Sequence, residues 1–135
     1  LEGVDVDPAL LQRLGVETSG AIPFDEVIPL LGQGRFSPVF HRPLFQRLGL
    51  VTNRTFEVFC ADTIPLLMLP DDQVDAIYGP AARLLAPGGD IASRVRELMG
   101  RPEAGWEAVL HTRAYLAQHH SYQQRFAELL RLLES

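Results

Sequence analysis

The apolar positions change their spacing along the chain. From Phe24 to Leu31 they fall at helical spacing, and glycines at positions 32 and 34 end this predicted helix. The unbroken apolar run 66–69 is too short for a helix and is typical of a strand that is covered on both faces. A second strand is predicted from Phe36 to Phe40, with Pro38 at a bulge or at a position without a ladder donor.

The segments between these elements predict further helices and short strands. Asp7 followed by Pro8 is typical of a helix start, and this helix runs to Leu14. The segments 16–18 and 82–86 are short strand candidates. A helix is predicted over 71–78, where acidic residues begin it and Gly79 ends it.

Three helices are predicted to close the chain. Asp90 caps the first, Pro102 begins the second, which ends near His119, and Ser121 caps the third. Strands that alternate with helices, followed by helices alone, predict an α/β fold: an open parallel Rossmann-like sheet layered by helices, with a helical C-terminal segment. The length of 135 residues favours a single domain, residues 1–135.

Composition narrows the function classes. The net charge of −5 argues against a nucleic-acid partner, and no apolar run approaches the roughly 20 residues that a transmembrane helix needs. All twelve basic residues are arginines, so a phosphate contact must come from Arg, His, hydroxyl or backbone groups. The single cysteine, Cys60, is expected to be a small buried apolar residue, and nothing indicates an oxidising compartment, so we expect a cytoplasmic protein.

The turn from Asn53 to Glu57 carries the strongest chemical signal. Capping residues predict a helix start here, where free backbone N–H groups and the helix dipole attract phosphate. Arg54 lies in the same turn, and Glu57 follows about one turn later, where a carboxylate can accept hydrogen bonds from ribose hydroxyls. His41 and Arg42 leave the strand predicted over 36–40, and either contact a sugar or phosphate or cap the sheet edge.

Several segments together resemble a known family. Arg54, Phe56, Glu57, Pro65 and Leu66 resemble the signature of the donor-binding half of GT-B-fold glycosyltransferases, in the group-1 and spore-maturation-type (CgeB-like) branch. Segments 20–31, 36–42 and 120–126 resemble other parts of that half, in the same order. The resemblance covers roughly residues 16 to 135.

The resemblance implies an enzyme domain and assigns roles to named residues. It implies a UDP-, GDP- or similar sugar as the donor, with its base near Ile22 and Pro23, its ribose on Glu57 and its diphosphate at Arg54 and Thr55, beside Asn53. His41 and Arg42 lie beside the sugar or phosphate. Arg54, with the Thr55 amide, stabilises the departing nucleotide as an electrostatic catalyst. No metal and no further cofactor are implied.

The resemblance also implies that this chain is one half of a two-domain enzyme. The missing partner is an N-terminal acceptor-binding domain, so the isolated chain is expected to be inactive. A detached half exposes the surface that faces its partner domain, which favours self-association. The alternative is a non-catalytic interaction module, because the C-terminal helices carry broad apolar stripes. Tyr122 and Arg125 are expected to tie the last helix to the sheet, and His120, near a helix cap, is expected to be structural.

Overall fold

A computed structural model describes residues 7–41 and 43–134, which form an α/β fold that is mostly helical and contains a small parallel sheet of two strands. The helices are α1 Pro8–Arg13, α2 Val27–Leu31, α3 Pro43–Arg47, α4 Arg54–Glu57, α5 Asp71–Tyr78, α6 Ile91–Gly100, α7 Pro102–His119 and α8 Tyr122–Glu134. The strands are β1 Phe36–Val39 and β2 Ile64–Leu67. Short 3-10 turns cover Phe24–Glu26, Val58–Cys60 and Pro80–Leu85.

Polar side chains begin three of the helices as the sequence predicts. The Asp7 carboxylate accepts a hydrogen bond from the Ala9 amide at 2.9 Å, and Asp90 accepts one from the Ser93 amide at the same distance. The Ser121 hydroxyl accepts a longer bond, 3.4 Å, from the Gln124 amide. These contacts satisfy amides that have no partner within the helix, so the predicted helix starts are confirmed.

The two strands pair in parallel, with Phe36 opposite Ile64. The Ile64 amide donates to the Arg35 carbonyl at 3.0 Å, and four residues later the Met68 amide donates to the carbonyl of the last β1 residue. Because ladder bonds alternate along a strand, Pro38 and Pro65 face away from the partner strand. Proline therefore stands on both outer edges, where it removes a donor that a further strand would need.

Two predicted strands lie on either side of the observed sheet in sequence and are wrong. The segment 16–18 has no strand structure and its side chains are exposed. Residues 82–85 belong to the 3-10 turn Pro80–Leu85, which Ala86 follows, and in which the Ala82 amide donates to the Gly79 carbonyl at 3.1 Å. Pro80 at the start of this turn fixes a helical φ, which favours the turn over a strand. The strands predicted over 36–40 and 66–69 are confirmed with shifted bounds: the first ends at Val39, and the second runs from Ile64 to Leu67.

The core lies around β2, all four of whose residues are buried. Helix α7 packs against β2 and against the 3-10 turn Pro80–Leu85, and α5 packs against both α7 and that turn. The largest apolar side chains with almost no exposure are Tyr78, Ile64, Leu67, Leu85, Leu98, Val58, Val74 and Val109. This packing holds α4 and the turn after it against the end of α7, which is where the candidate site lies.

Cys60 corrects the sequence prediction that it is buried. It ends the 3-10 turn Val58–Cys60 and is exposed, because Val58 and Phe59 take the two inward positions of that turn. No described helix has both the length and the apolar character needed to cross a membrane.

Candidate functional site

An open cleft of about 660 Å³ lies between α4, the end of α7 and the start of α8. Eleven residues line it: Phe24, Asn53, Phe56, Glu57, Phe59, Cys60, Arg113, Leu116, His120, Tyr122 and Arg125. It combines apolar and aromatic side chains with a few charged groups, as small-molecule sites commonly do.

Two of the sequence-predicted site residues, Asn53 and Glu57, line this cleft. The Glu57 side chain is about one-fifth exposed, so its carboxylate is partly sheltered and still reachable. Arg54 is not among the lining residues, but its Nε lies 3.7 Å from a carboxylate oxygen of Glu57. The structure therefore connects Arg54 to the cleft through Glu57.

Thr55 is buried and its polar groups are already bonded. Its hydroxyl donates to the Thr52 carbonyl at 2.6 Å, and its amide donates to the same carbonyl at 3.1 Å. Helix α4 has only four residues, and the Glu57 amide donates to the Asn53 carbonyl. An anion at this turn therefore has fewer free amides than a long helix start would offer, and must rely more on side chains.

The predicted base-binding residues Ile22 and Pro23 do not line the cleft, but the next residue, Phe24, does, and it is 78% exposed. His41 is buried at the end of β1 and also stands outside the lining. Within the described ranges neither ring nitrogen of His41 has a hydrogen-bond partner, and burial lowers its pKa. Arg42 lies outside the described residues.

Arg113 is a cleft residue that the sequence reasoning missed. Its Nε donates to the Phe59 carbonyl at 2.6 Å and its Nη2 donates to the Ala61 carbonyl at 2.8 Å. A guanidinium has five N–H groups, so these two bonds fix its position and leave donors for a ligand. In the sequence it lies four residues after Val109, an apolar residue that is buried in α7. This spacing places Arg113 on the core-facing side of the helix.

Arg125 and His120 form the opposite part of the lining. Arg125 donates to Glu128 at 2.7 Å and to Nδ1 of His120. The His120 amide donates to the Leu116 carbonyl at 2.8 Å and so ends α7. The expectation that Tyr122 and Arg125 tie α8 to the sheet is wrong, because Tyr122 is 85% exposed and Arg125 bonds the end of α7 and its own helix.

The residues that line the cleft carry more positive than negative side chains, although the chain has a net charge of −5. Two arginines, Arg113 and Arg125, line it against one carboxylate, Glu57. Asp62 lies 3.9 Å from Arg113, but its side chain is 92% exposed and well screened. With the aromatic side chains beside them, these groups suit a ligand that joins an anionic part to a flat apolar part.

Comparison with protein-family models, with curated proteins and with solved structures returns no match. Over residues 7–41 and 43–134, no three His, Cys, Asp or Glu side chains are grouped so that they would hold a metal ion.

Proposed function

We propose that the cleft binds a nucleotide-diphosphate sugar and that the chain is the donor-binding domain of a glycosyltransferase, a Rossmann-like half of a GT-B enzyme. The observation that carries the proposal is the position of Glu57 in one cleft with two arginines and exposed aromatic rings. Together, the carboxylate, the arginines and the rings can contact the three parts of a nucleotide: the ribose hydroxyls, the phosphates and the planar base.

Each part of the donor has a matching group. The Glu57 carboxylate accepts hydrogen bonds from the ribose hydroxyls, and Asn53 lies beside it in the lining. Arg113 and Arg125 bind the diphosphate, since arginine binds phosphate oxygens in a bidentate manner. The exposed ring of Phe24 stacks on the base, which moves the base contact one residue beyond Ile22 and Pro23.

The catalytic contribution is electrostatic. Negative charge grows on the departing nucleotide, and positioned cations lower the barrier most when they need not reorganise. Arg113 meets this condition because two backbone carbonyls hold its guanidinium. Arg54, the catalyst expected from the sequence, acts in this proposal through its ion pair with Glu57.

Replacement of Glu57 by Ala is expected to weaken binding of UDP or GDP by about 10- to 100-fold, the loss of one or two hydrogen bonds to a charged acceptor. Isothermal titration calorimetry with both nucleotides measures this directly. Glu107→Ala is the matched control, because Glu107 is exposed on α7 and stands outside the lining. The proposal fails if wild type and Glu57→Ala bind equally, or if neither nucleotide binds wild type.

The apolar face of α8 favours the alternative, a non-catalytic interaction module. Phe126, Leu129, Leu130 and Leu133 lie on one side of this helix, and all are at least half exposed. If this face associates with a second copy, sedimentation equilibrium will show a mass that rises with concentration. Leu130→Gln should then shift wild-type association toward monomer, with the exposed Gln118→Ala on α7 as the control. A monomeric wild type across the concentration series would argue against this alternative.

A further inference from the structure

Helix α8 is attached to the rest of the molecule by few side chains. It contains no buried residue, and Ala127 is its only half-buried one among residues 122–134. Tyr122 and Arg125, in its first turn, nevertheless form one wall of the cleft. The position of this wall therefore depends strongly on the polar contact that Arg125 makes with the end of α7.

That contact requires an uncharged imidazole. An arginine side chain only donates hydrogen bonds, so Nδ1 of His120 must accept with its lone pair. In the neutral ring the other nitrogen, Nε2, then carries the proton. This neutral tautomer of His120 allows the bond that joins the end of α7 to α8.

The surroundings of His120 favour its neutral form. Burial lowers the pKa of His120 most, and the charges of Arg125 and His119 lower it further. Glu128 and the Ile77 carbonyl act in the opposite direction and are weaker. The other facing groups are the rings of Phe56 on α4, 6.5 Å away, and Tyr115 on α7, 6.2 Å away. Glu57 and Arg113 share the cleft with His120.

We propose that the His120–Arg125 hydrogen bond is an acid-sensitive contact that holds the first turn of α8, and with it one wall of the cleft, in place. Protonation puts a hydrogen on Nδ1, so two donors and two positive charges then face each other. The bond is lost, and Arg125 keeps its bond to Glu128 on its own helix. Tyr122 and Arg125 then leave the cleft together, whichever ligand it binds.

The direction of the pH effect follows from linkage. A histidine whose folded pKa is lowered stays neutral in the closed form while the released form takes up a proton more readily. The closed position is therefore fully favoured above the ordinary histidine pKa of about 6.5. It loses stability as the pH falls below that value toward the folded pKa.

Hydrogen exchange measured on the whole chain, expressed as protection factors, tests this proposal. Between pH 7.5 and pH 5, amides at the start of α8 should lose protection while amides within α7 keep theirs. Arg125→Ala should show that loss already at pH 7.5. His120→Gln, whose amide oxygen can accept from Arg125 without titrating, should remove the pH dependence. His119→Gln, one residue earlier and exposed, should retain it.

Two results would overturn the proposal. The first is that protection in α8 stays unchanged while the His120 ring titrates, with the titration monitored by the ¹³C chemical shift of the ring. The other is wild-type protection of α8 at pH 7.5 in Arg125→Ala. If His120→Gln fails to fold, the Arg125→Ala comparison still decides, because Arg125 is exposed and its removal leaves the core intact.

Discussion

Replacement of Gly79 by Ala should lower the free energy of unfolding by about 2–4 kcal/mol. Gly79 ends α5 with φ of 81°, a region that L residues rarely adopt. A Cβ at this position would stand 2.7 Å from a ring carbon of Tyr115, which packs across the turn from α7. Because the ring cannot bend away as a flexible chain end can, the helix or the turn must move. Urea denaturation at constant pH measures the loss.

Gly105→Ala is the control that separates the effects of the positive φ and the rigid Tyr115 ring from the effect of an added methyl group alone. Gly105 is also buried, but it lies inside α7, and the nearest atom to its added Cβ is the terminal methyl of Ile64, 2.9 Å away. Rotation about the Ile64 side-chain bonds can move that methyl away, and alanine favours a helix by about 1 kcal/mol over glycine, so the net change should be small. In Gly79→Ala, the second change Tyr115→Ala should recover only the steric part. An equal loss in Gly79→Ala and Gly105→Ala would contradict the argument.

The part of the fold that could be predicted from the sequence is the part that local chemistry determines. The helix over 71–78 was predicted at its observed bounds because acidic residues begin it and Gly79 ends it. The extent of the sheet was not predicted, because the Rossmann-like expectation assumed that each short apolar run is a strand. The 3-10 turn at Pro80–Leu85 shows that a short run of buried apolar residues cannot be assigned to a strand by its periodicity alone. Pro38 and Pro65, which face away from the partner strand, were the residues in the sequence that indicated a sheet of few strands.

The candidate site also contains residues that could be predicted from local sequence and residues that could not. Asn53 and Glu57 were found because the capping pattern and the carboxylate lie within five residues of each other. Arg113 and Arg125 were missed because they reach the cleft only through packing of α7 and α8, more than 50 residues further along the chain. Residues that lie close in sequence cannot indicate such a contact. An arginine at a core-facing helix position does indicate one, because a partly buried guanidinium needs hydrogen-bond acceptors at fixed positions.

Replacement of Arg113 by Met should also lower the free energy of unfolding by about 2–4 kcal/mol, because two charge-assisted hydrogen bonds are lost. The Phe59 and Ala61 carbonyls lie in the turn that leads from α4 into β2. Met keeps most of the aliphatic packing of the side chain, so the change isolates the guanidinium. Without it, these carbonyls lose their donors on the partly buried side of the turn. Thermal and urea unfolding should agree on the loss.

The matched control is Arg83→Met. Arg83 pairs with Asp75, but both groups are at the surface, where solvent screens the pair, so this variant should unfold almost as wild type does. Arg113→Lys should recover part of the stability, because an ammonium can reach one carbonyl but cannot span both. Nucleotide affinity should not recover in parallel, since one ammonium cannot bond the turn and the phosphate at the same time. If Arg113→Lys restored affinity fully, Arg113 would support the turn without contacting the ligand, and phosphate binding would rest on Arg125.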